Sequence, residues 1–443
     1  MNIKELQTKQ KEIVNWFNKE YINEEGIPIF AIDYRSKKIV ETHNSLAELG
    51  DYAPFLFLSG AESFVNGQYE ISKKYLISDK YFFESYRGWK NLFIPQRANV
   101  FYYSDFILGL LELYNLNKNI DFLNLAKSNI DKVLDKFYLK GFLCKWYLPL
   151  LNYRFPVSES NGGVFIEILL DFYRVTNNKM YLEKAQEILN SWIHLDFFKK
   201  NRIFPVLHTL NRHFTVIRRI RQESHQSRLV KHNVVLISSL LEFYYITNNS
   251  SYLEIIDTWL EGIKDNFLNE EGGAYSLVEF AENDSNIKKR YNPHIKNHAL
   301  VDILCDLYWV TNNEKYIDVA KRITQYWLKR QSNKTGLFPF YDNGDISYFD
   351  GETDWIIALM KMYELTKQSL YKERAERIFE GQLKHHYTEL GYVNGVNIYT
   401  GDIVDSLIET RYVTLFLKAI LFFLWEKPIY SPDRKMFYLM RDR

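Results

Sequence analysis

Two patterns of apolar and polar positions alternate along this chain. Stretches such as FIEILLDFY (165–173) and WIIALMKMY (355–363) are apolar nearly all round, whereas YIDVAKRITQYWLKR (316–330) has one apolar stripe and one charged face. A helix apolar on every side is buried, and a striped one is half exposed. The alternation predicts an inner layer of helices wrapped by an outer layer.

The alternation is also a repeat. LELYNLNKNIDFLNLA (111–126), LLDFYRVTNNKMYLEKA (169–185), LLEFYYITNNSSYLEII (240–256), DLYWVTNNEKYIDVA (306–320) and KMYELTKQSLYKERA (361–375) share one plan. An apolar helix ends, a short polar turn follows, and a second helix opens. Anchored on Asn117, Thr176, Thr247, Thr311 and Thr366, the spacings are 59, 71, 64 and 55 residues. Asn in these turns tolerates the left-handed backbone that a tight helix–helix connection needs.

The register predicts inner helices near 46–60, 101–116, 161–175, 231–246, 295–310, 351–365 and 403–424. Outer helices fall near 3–20, 68–78, 121–137, 180–195, 250–266, 314–331 and 369–384. That makes six or seven hairpins. An open solenoid would need polar caps at its ends, yet the last inner helix, LFLKAILFFLW, is among the most apolar. It must bury against the first helices. The expected fold is an all-α (α/α)6 or (α/α)7 toroid, with residues 1–443 as one domain.

Composition narrows the partners. Aromatics make up 16% of the chain, enough to fill a large core and also line a wet cleft. Lys and Arg total 56 against 55 acids, so no global field attracts nucleic acid or an anionic membrane. Two cysteines, Cys144 and Cys305, make no disulfide framework and suit buried positions. The N-terminal helix is charged and amphipathic, unlike a signal peptide. The apolar run 412–425 is too short to span a bilayer and contains Lys418. The expectation is a cytoplasmic protein that needs no metal or cofactor.

The links from each outer helix to the next inner one are long and aromatic, as in KGFLCKWYLP (140–149), TGLFPFYD (335–342) and LGYVNGVNIY (390–399). They collect around the N-terminal ends of the inner helices, and long loops in compact domains are often functional. In register, Asp105 and Asp354 lie twelve residues before their anchors, and Tyr103, Gly162, Asn233, Asn297 and Glu352 lie fourteen before theirs. Ser104, Asn161, His232 and His298 are neighbours. The seventh inner helix brings Asp402, Asp405 and Glu409. The first carries Glu48 and Asp51 and is preceded by His43 and Asn44.

Asp, Asn and Ser at helix starts also serve as caps, and the macrodipole favours carboxylates there. Capping does not account for the concentration of Glu352 and Asp354 with Asp405 and Glu409 one hairpin later. Paired carboxylates across a sugar-sized gap are the apparatus of glycoside hydrolysis. The expected catalytic group is Glu352, Asp354, Asp405, Glu409 and Asp105. Asn161, His232, Asn233 and His298 would contact substrate, with aromatics such as Trp355 stacking on sugar faces.

Between Phe197 and Asn233 nine basic residues face one acidic one. Arg218, Arg219 and Arg221 are suited to bidentate recognition of a carboxylate or phosphate. They fit an anionic sugar and fit equally a solvated loop or partner patch. The histidines of this segment lack a zinc-site spacing.

Taken with turns such as YRVTNNKMYLEKA and YWVTNNEKYIDVA, the repeat resembles the (α/α)-barrel superfamily of carbohydrate-active enzymes. That likeness implies an oligosaccharide or polysaccharide substrate. GETDWIIALMKMYELT (351–366) and DSLIETRYVTLFLKAILFF (405–423) resemble class I α-mannosidases, which would make Glu352 the candidate base. The Thr-Glu-Ala-His-Pro calcium motif of that family is absent, and only Asp105 matches the acidic start of its second inner helix. The paired histidines of N-acylglucosamine 2-epimerases are not evident either, although His232 and His298 occupy comparable helix starts. The leading expectation is a glycoside hydrolase, with uronate on the glycan as one form of it. The alternatives are a uronate epimerase or lyase, and a barrel that binds glycan or protein without catalysis.

Overall fold

The computed structural model describes residues 3–24, 26–41, 46–77, 98–148, 151–211, 213–214, 217–281 and 286–425. His43 and Asn44 lie outside them. Outer helix α1 (Ile3–Lys19) is followed by inner α2 (Leu46–Leu58), outer α3 (Glu62–Ile77), inner α4 (Val100–Asn117), outer α5 (Ile120–Phe137), inner α6 (Gly163–Thr176) and outer α7 (Lys179–Ile193). Two short helices, α8 (Asp196–Asn201) and α9 (Arg218–Ser224), interrupt the next link. Then come inner α10 (Val235–Thr247), outer α11 (Ser251–Asn266), inner α12 (His298–Thr311) and outer α13 (Glu314–Leu328). Inner α14 (Phe349–Thr366), outer α15 (Ser369–Gly381) and inner α16 (Thr410–Trp425) complete the set.

The turns explain themselves residue by residue. The Thr176, Thr247 and Thr311 hydroxyls each donate to the carbonyl four residues back at 2.6 Å. Asn177, Asn248 and Asn312 then take left-handed backbone, and each donates its N–H to a tyrosine carbonyl, Tyr173, Tyr244 or Tyr308. The next Asn caps the outer helix: the side chains of Asn178, Asn249 and Asn313 accept from the N–H two residues on. Each Asn-Asn pair thus ends one helix and starts the next.

Among the described residues, seven inner helices form a ring in which each packs on the next and α16 packs on α2. The seventh hairpin joins the two ends of the described chain, since α1 packs on α16. A strand at Ala31–Asp33 pairs antiparallel with Leu407–Glu409, reinforcing the closure. Gly50 and Gly109 let α2 and α4 meet backbone to backbone: a Cβ on Gly50 would lie 2.1 Å from the Asp105 carbonyl oxygen. Strands occur as small two- and three-stranded sheets.

One expected boundary moves. Residues 403–409, assigned by the repeat to the seventh inner helix, form two short strands, and α16 starts at Thr410. The reason is local. The Asp405 side chain accepts the Leu407 N–H in a turn, and the Ile403 and Ile408 positions pair in sheets. Asp402 and Asp405 therefore sit in the link, and Glu409 ends a strand. No helix among the described residues is long and apolar enough to cross a membrane. Cys144 and Cys305 are both buried and free.

Low in the barrel, the same register carries charge. Five residues before their anchors stand Glu112, Asp171, Glu242, Asp306 and Lys361, all buried. Arg174 bridges Asp171 and Glu242 at 2.7 and 2.6 Å, and Lys361 bridges Asp302 and Asp306 at 2.8 and 2.7 Å. Burial alone would favour loss of the Lys361 proton, but these two aspartates hold its affinity above the ordinary lysine value. The inner helices are thus stitched to their neighbours by ion pairs as well as by apolar packing.

Candidate active site at the barrel mouth

Two of the expected site residues, Asn233 and Glu352, share a packing role with Asn297, which stands at the same register position. Asn233 accepts the Phe204 N–H at 2.9 Å and the Trp259 indole N–H at 3.3 Å. Asn297 accepts the Ala274 N–H at 2.9 Å and the Trp327 indole N–H at 3.0 Å. Glu352, at the equivalent position of α14, accepts the Phe338 N–H at 2.5 Å and the Ser347 hydroxyl at 2.7 Å. Each ties a long link to the start of an inner helix, and Glu352 is 0% exposed. A catalytic group must touch substrate, and this carboxyl points into a packed loop. The geometry therefore moves Glu352 from the expected catalytic group to the scaffold.

Burial pushes the Glu352 carboxyl up to about 8, although the Ser347 and Phe338 hydrogen bonds pull the other way. The folded protein keeps that proton well above the ordinary value of 4.5, so the folded state binds it more tightly than the unfolded chain. Its contribution is complete below about 4.5 and is lost as pH rises, by about 1.4 kcal/mol per pH unit, until the folded carboxyl ionises near 8. Urea unfolding at several pH values should show this slope in the wild type and not in Glu352→Gln. A stability difference between the two that is independent of pH would mean that the buried carboxyl is already ionised.

Asp354 is placed differently. Two residues along a helix is roughly 200° around it, so Asp354 turns away from the link that holds Glu352. Its side chain is 38% exposed, and its oxygens lie 3.4 Å from His298 Nε2 and 3.6 Å from Lys418 Nζ. Three neighbouring inner helices, α12, α14 and α16, thus meet at one carboxylate. Asp105 occupies the same register position on α4, three places round the seven-membered ring from α14. It is 8% exposed and lies with Asp51 and Glu48 around Arg411. Arg411 pairs with Asp51; burial would lower its proton affinity, and Asp51, Glu48 and Asp105 raise it beyond the ordinary arginine value.

A second cluster lies on the α6–α10 side. Ser160 Oγ is 2.7 Å from the Pro205 carbonyl and 2.9 Å from His232 Nδ1. With the serine proton on Pro205, His232 holds its own proton at Nδ1 and turns Nε2 toward Glu159, 3.8 Å away. Glu159 is paired with Lys145 at 2.8 Å. Asn161 is buried beside it in the turn 160–162.

The remaining expected residues are packed, engaged in the links or exposed elsewhere. Trp355 is fully buried, with its indole N–H on the Ile295 carbonyl at 2.7 Å and its ring against Trp327 and Phe338; it is core, not a sugar platform. Arg218, Arg219 and Arg221 are exposed on α9, where Arg219 pairs with Glu223 at 2.9 Å and only Ile220 packs inward. Asp405 is spent on its turn, and Glu409 accepts from Asn394 at 3.0 Å. Arg411 and Lys418 are the cations of the mouth that the repeat did not bring forward, although a spacing of seven residues puts both on one face of α16. Among the described residues, no group of three or more His, Cys, Asp or Glu could hold a metal ion.

This architecture has clear relatives. No family model matches the chain, and neither does any curated protein sequence. An α-1,2-mannosidase from Trichoderma reesei is similar with a TM-score of 0.64 at 12% identity, covering 94% of this chain and 92% of that one. A D-mannose isomerase is similar with a TM-score of 0.59 at 12% identity over 94% and 97% of the two chains. An unsaturated glucuronyl hydrolase from Bacillus sp. GL1 has a TM-score of 0.54 at 10% identity over 77% and 89%. The fold shared with these structures is the (α/α) barrel.

Proposed function

We propose that this protein hydrolyses a glycosidic bond at the barrel mouth. The reading is carried by the position of Asp354: an exposed carboxylate between His298 and Lys418, matched in register by Asp105 on the far side of the ring. Two carboxylates facing each other across a sugar can divide the work, one protonating the leaving oxygen and the other activating water. In this assignment Asp354, oriented by His298, activates the water, and Asp105 faces the leaving group. The fold's relatives include hydrolases, which supports the class of reaction and not the particular bond.

The test is a time course by proton NMR on oligosaccharides of several sugars and linkages. Release of new reducing ends, lost in both Asp354→Asn and Asp105→Asn, supports the proposal. The His298–Asp354 pair also suits a second reaction, removal of a proton beside a sugar carbonyl in epimerisation or isomerisation. That reading predicts deuterium entering a free sugar in heavy water, with loss of the exchange in His298→Asn and no new reducing ends.

The exposed arginines have a separate expectation. Replacing Arg219 by Lys or Ala should leave turnover within about twofold, because an exposed pair with Glu223 contributes little. A tenfold loss on an acidic oligosaccharide, relieved on a neutral one, would return α9 to the substrate site.

A further inference from the structure

Asp354 and Asp105 stand twelve residues before their anchors, and the residues nine and five before the anchors lie on the same helix face. Exposure along that face ends within one turn. In the upper row the Asp354 side chain is open to solvent, and Val164 and Val235, on α6 and α10, are half-buried. The next row, Leu108, Glu167, Ser238, Asp302 and Ile357, is buried on all five helices, with no member above 8% exposed. Below it lies the row that Arg174 and Lys361 tie together by ion pairs. Three residues of helix rise about 4.5 Å, which is the depth of one sugar ring and not of two.

The sides are closed as well. Each inner helix packs on the next and α16 packs on α2, so among the described residues the ring offers a chain no lateral way through at this level. Val164, Val235 and Ala299 occupy the upper row between the two carboxylates, and their small side chains leave the cup its width. A polymer lying across the barrel would pass above the carboxylates. To bring a bond between Asp354 and Asp105, a chain has to enter end-on, and the buried row beneath admits a single unit past them.

We propose that the mouth is a blind cup that seats the terminal unit of a sugar chain, so that its ligands are chain ends and not chain interiors. This rests on the mouth being the sugar site. Combined with hydrolysis at Asp354, it frees one unit at a time. Each event adds one water across the terminal glycosidic bond, its hydroxyl going to the anomeric carbon and its other proton replacing the one given to the leaving oxygen.

The probes are maltohexaose, cellohexaose and mannohexaose. Each is taken in three forms: unmodified, reduced to the alditol at the reducing end, and carrying an ethylidene acetal on the other terminal unit. Calorimetric titration of the Asp354→Asn variant reads binding without turnover. For the hexaose that binds, one of the two end modifications should weaken binding by about tenfold or more, because the altered unit clashes with the floor of the cup. Adding Val235→Phe, which puts a ring into the cup, should weaken the unmodified hexaose by a similar factor, with the melting temperature confirming the fold. The wild-type protein should release monosaccharide from the first time point. Both modified forms binding as tightly as the unmodified one, normal binding in the folded Val235→Phe variant, or internal fragments at the first time point overturns the proposal. No binding of any hexaose overturns the sugar reading and this proposal with it. Binding that is sensitive to one end, without release of sugar, leaves the cup standing and removes the hydrolase assignment.

Discussion

Asp354→Asn is expected to lower turnover by about a thousandfold or more while shifting the melting temperature by no more than a couple of degrees. The activity loss follows from removing the group that takes a proton in the proposed hydrolysis, a role worth roughly two to four orders of magnitude. The small stability change follows from exposure: the side chain is 38% accessible, and an ion pair at an accessible carboxylate contributes little. Glu352→Ala should do the reverse, since it strands the Phe338 N–H and the Ser347 hydroxyl in a packed interior. That costs about 1–3 kcal/mol per stranded group, and the remaining folded enzyme should keep its turnover number. Steady-state kinetics beside urea unfolding separates the two residues. Retained activity in Asp354→Asn together with a lost turnover number in folded Glu352→Gln would exchange their assigned roles.

Lys361→Met should be the most destabilising single change at a polar site, by about 3–5 kcal/mol, the usual consequence of removing one partner from a buried ion pair. Lys361 is 1% exposed and bridges Asp302 and Asp306 between α12 and α14, so its loss leaves two carboxylates facing each other without their shared cation. The account makes a second demand. Combining Lys361→Met with Asp302→Asn and Asp306→Leu should recover most of the loss, because the charges to be compensated have gone. Denaturant midpoints for the single and triple variants measure this. A single variant within 1 kcal/mol of wild type, or a triple variant no better than the single, would remove the ion pairs from the account of how the inner ring is held together.

The helices were legible because their causes are local. The Thr-Asn-Asn turns contain both the left-handed C-cap and the next N-cap, so the outer and inner spans at 120–137, 179–193, 298–311 and 314–328 fall within a few residues of the repeat register. The link at 403–409 was not legible in the same way. Its partners are the strands at 395–397 and 31–33, the second of them far away in sequence, and no periodicity within α16 announces them.

Which residues at the inner-helix starts are packed and which are exposed was not legible in the sequence. Glu352 and Asp354 look alike at the start of one helix. Only the surroundings of each side chain, one buried against the link and one exposed beside His298 and Lys418, tell them apart. The register does contain a clue, since Asn233 and Asn297 stand where Glu352 stands and neither amide can serve as a hydrolytic acid. The charged residue three before the repeat's tyrosine-plus-one turn position, as in Glu112, Asp171, Glu242, Asp306 and Lys361, is equally visible in the repeat. What sequence lacks is the burial and the pairing that join four of those five charges in ion pairs. The arginine run at 218–221 has the opposite character: it is conspicuous in composition and exposed in the fold.

The central claim is that the barrel mouth at Asp354 is where a sugar is bound and cleaved. Its most direct test is a crystal of the Asp354→Asn variant soaked with an oligosaccharide that the wild-type protein degrades in the NMR time course. The account predicts sugar density among the inner-helix N-termini, with the scissile bond between residue 354 and Asp105 and a sugar oxygen within hydrogen-bonding distance of His298. Sugar bound instead along the exposed face of α9, with the mouth empty, would contradict it.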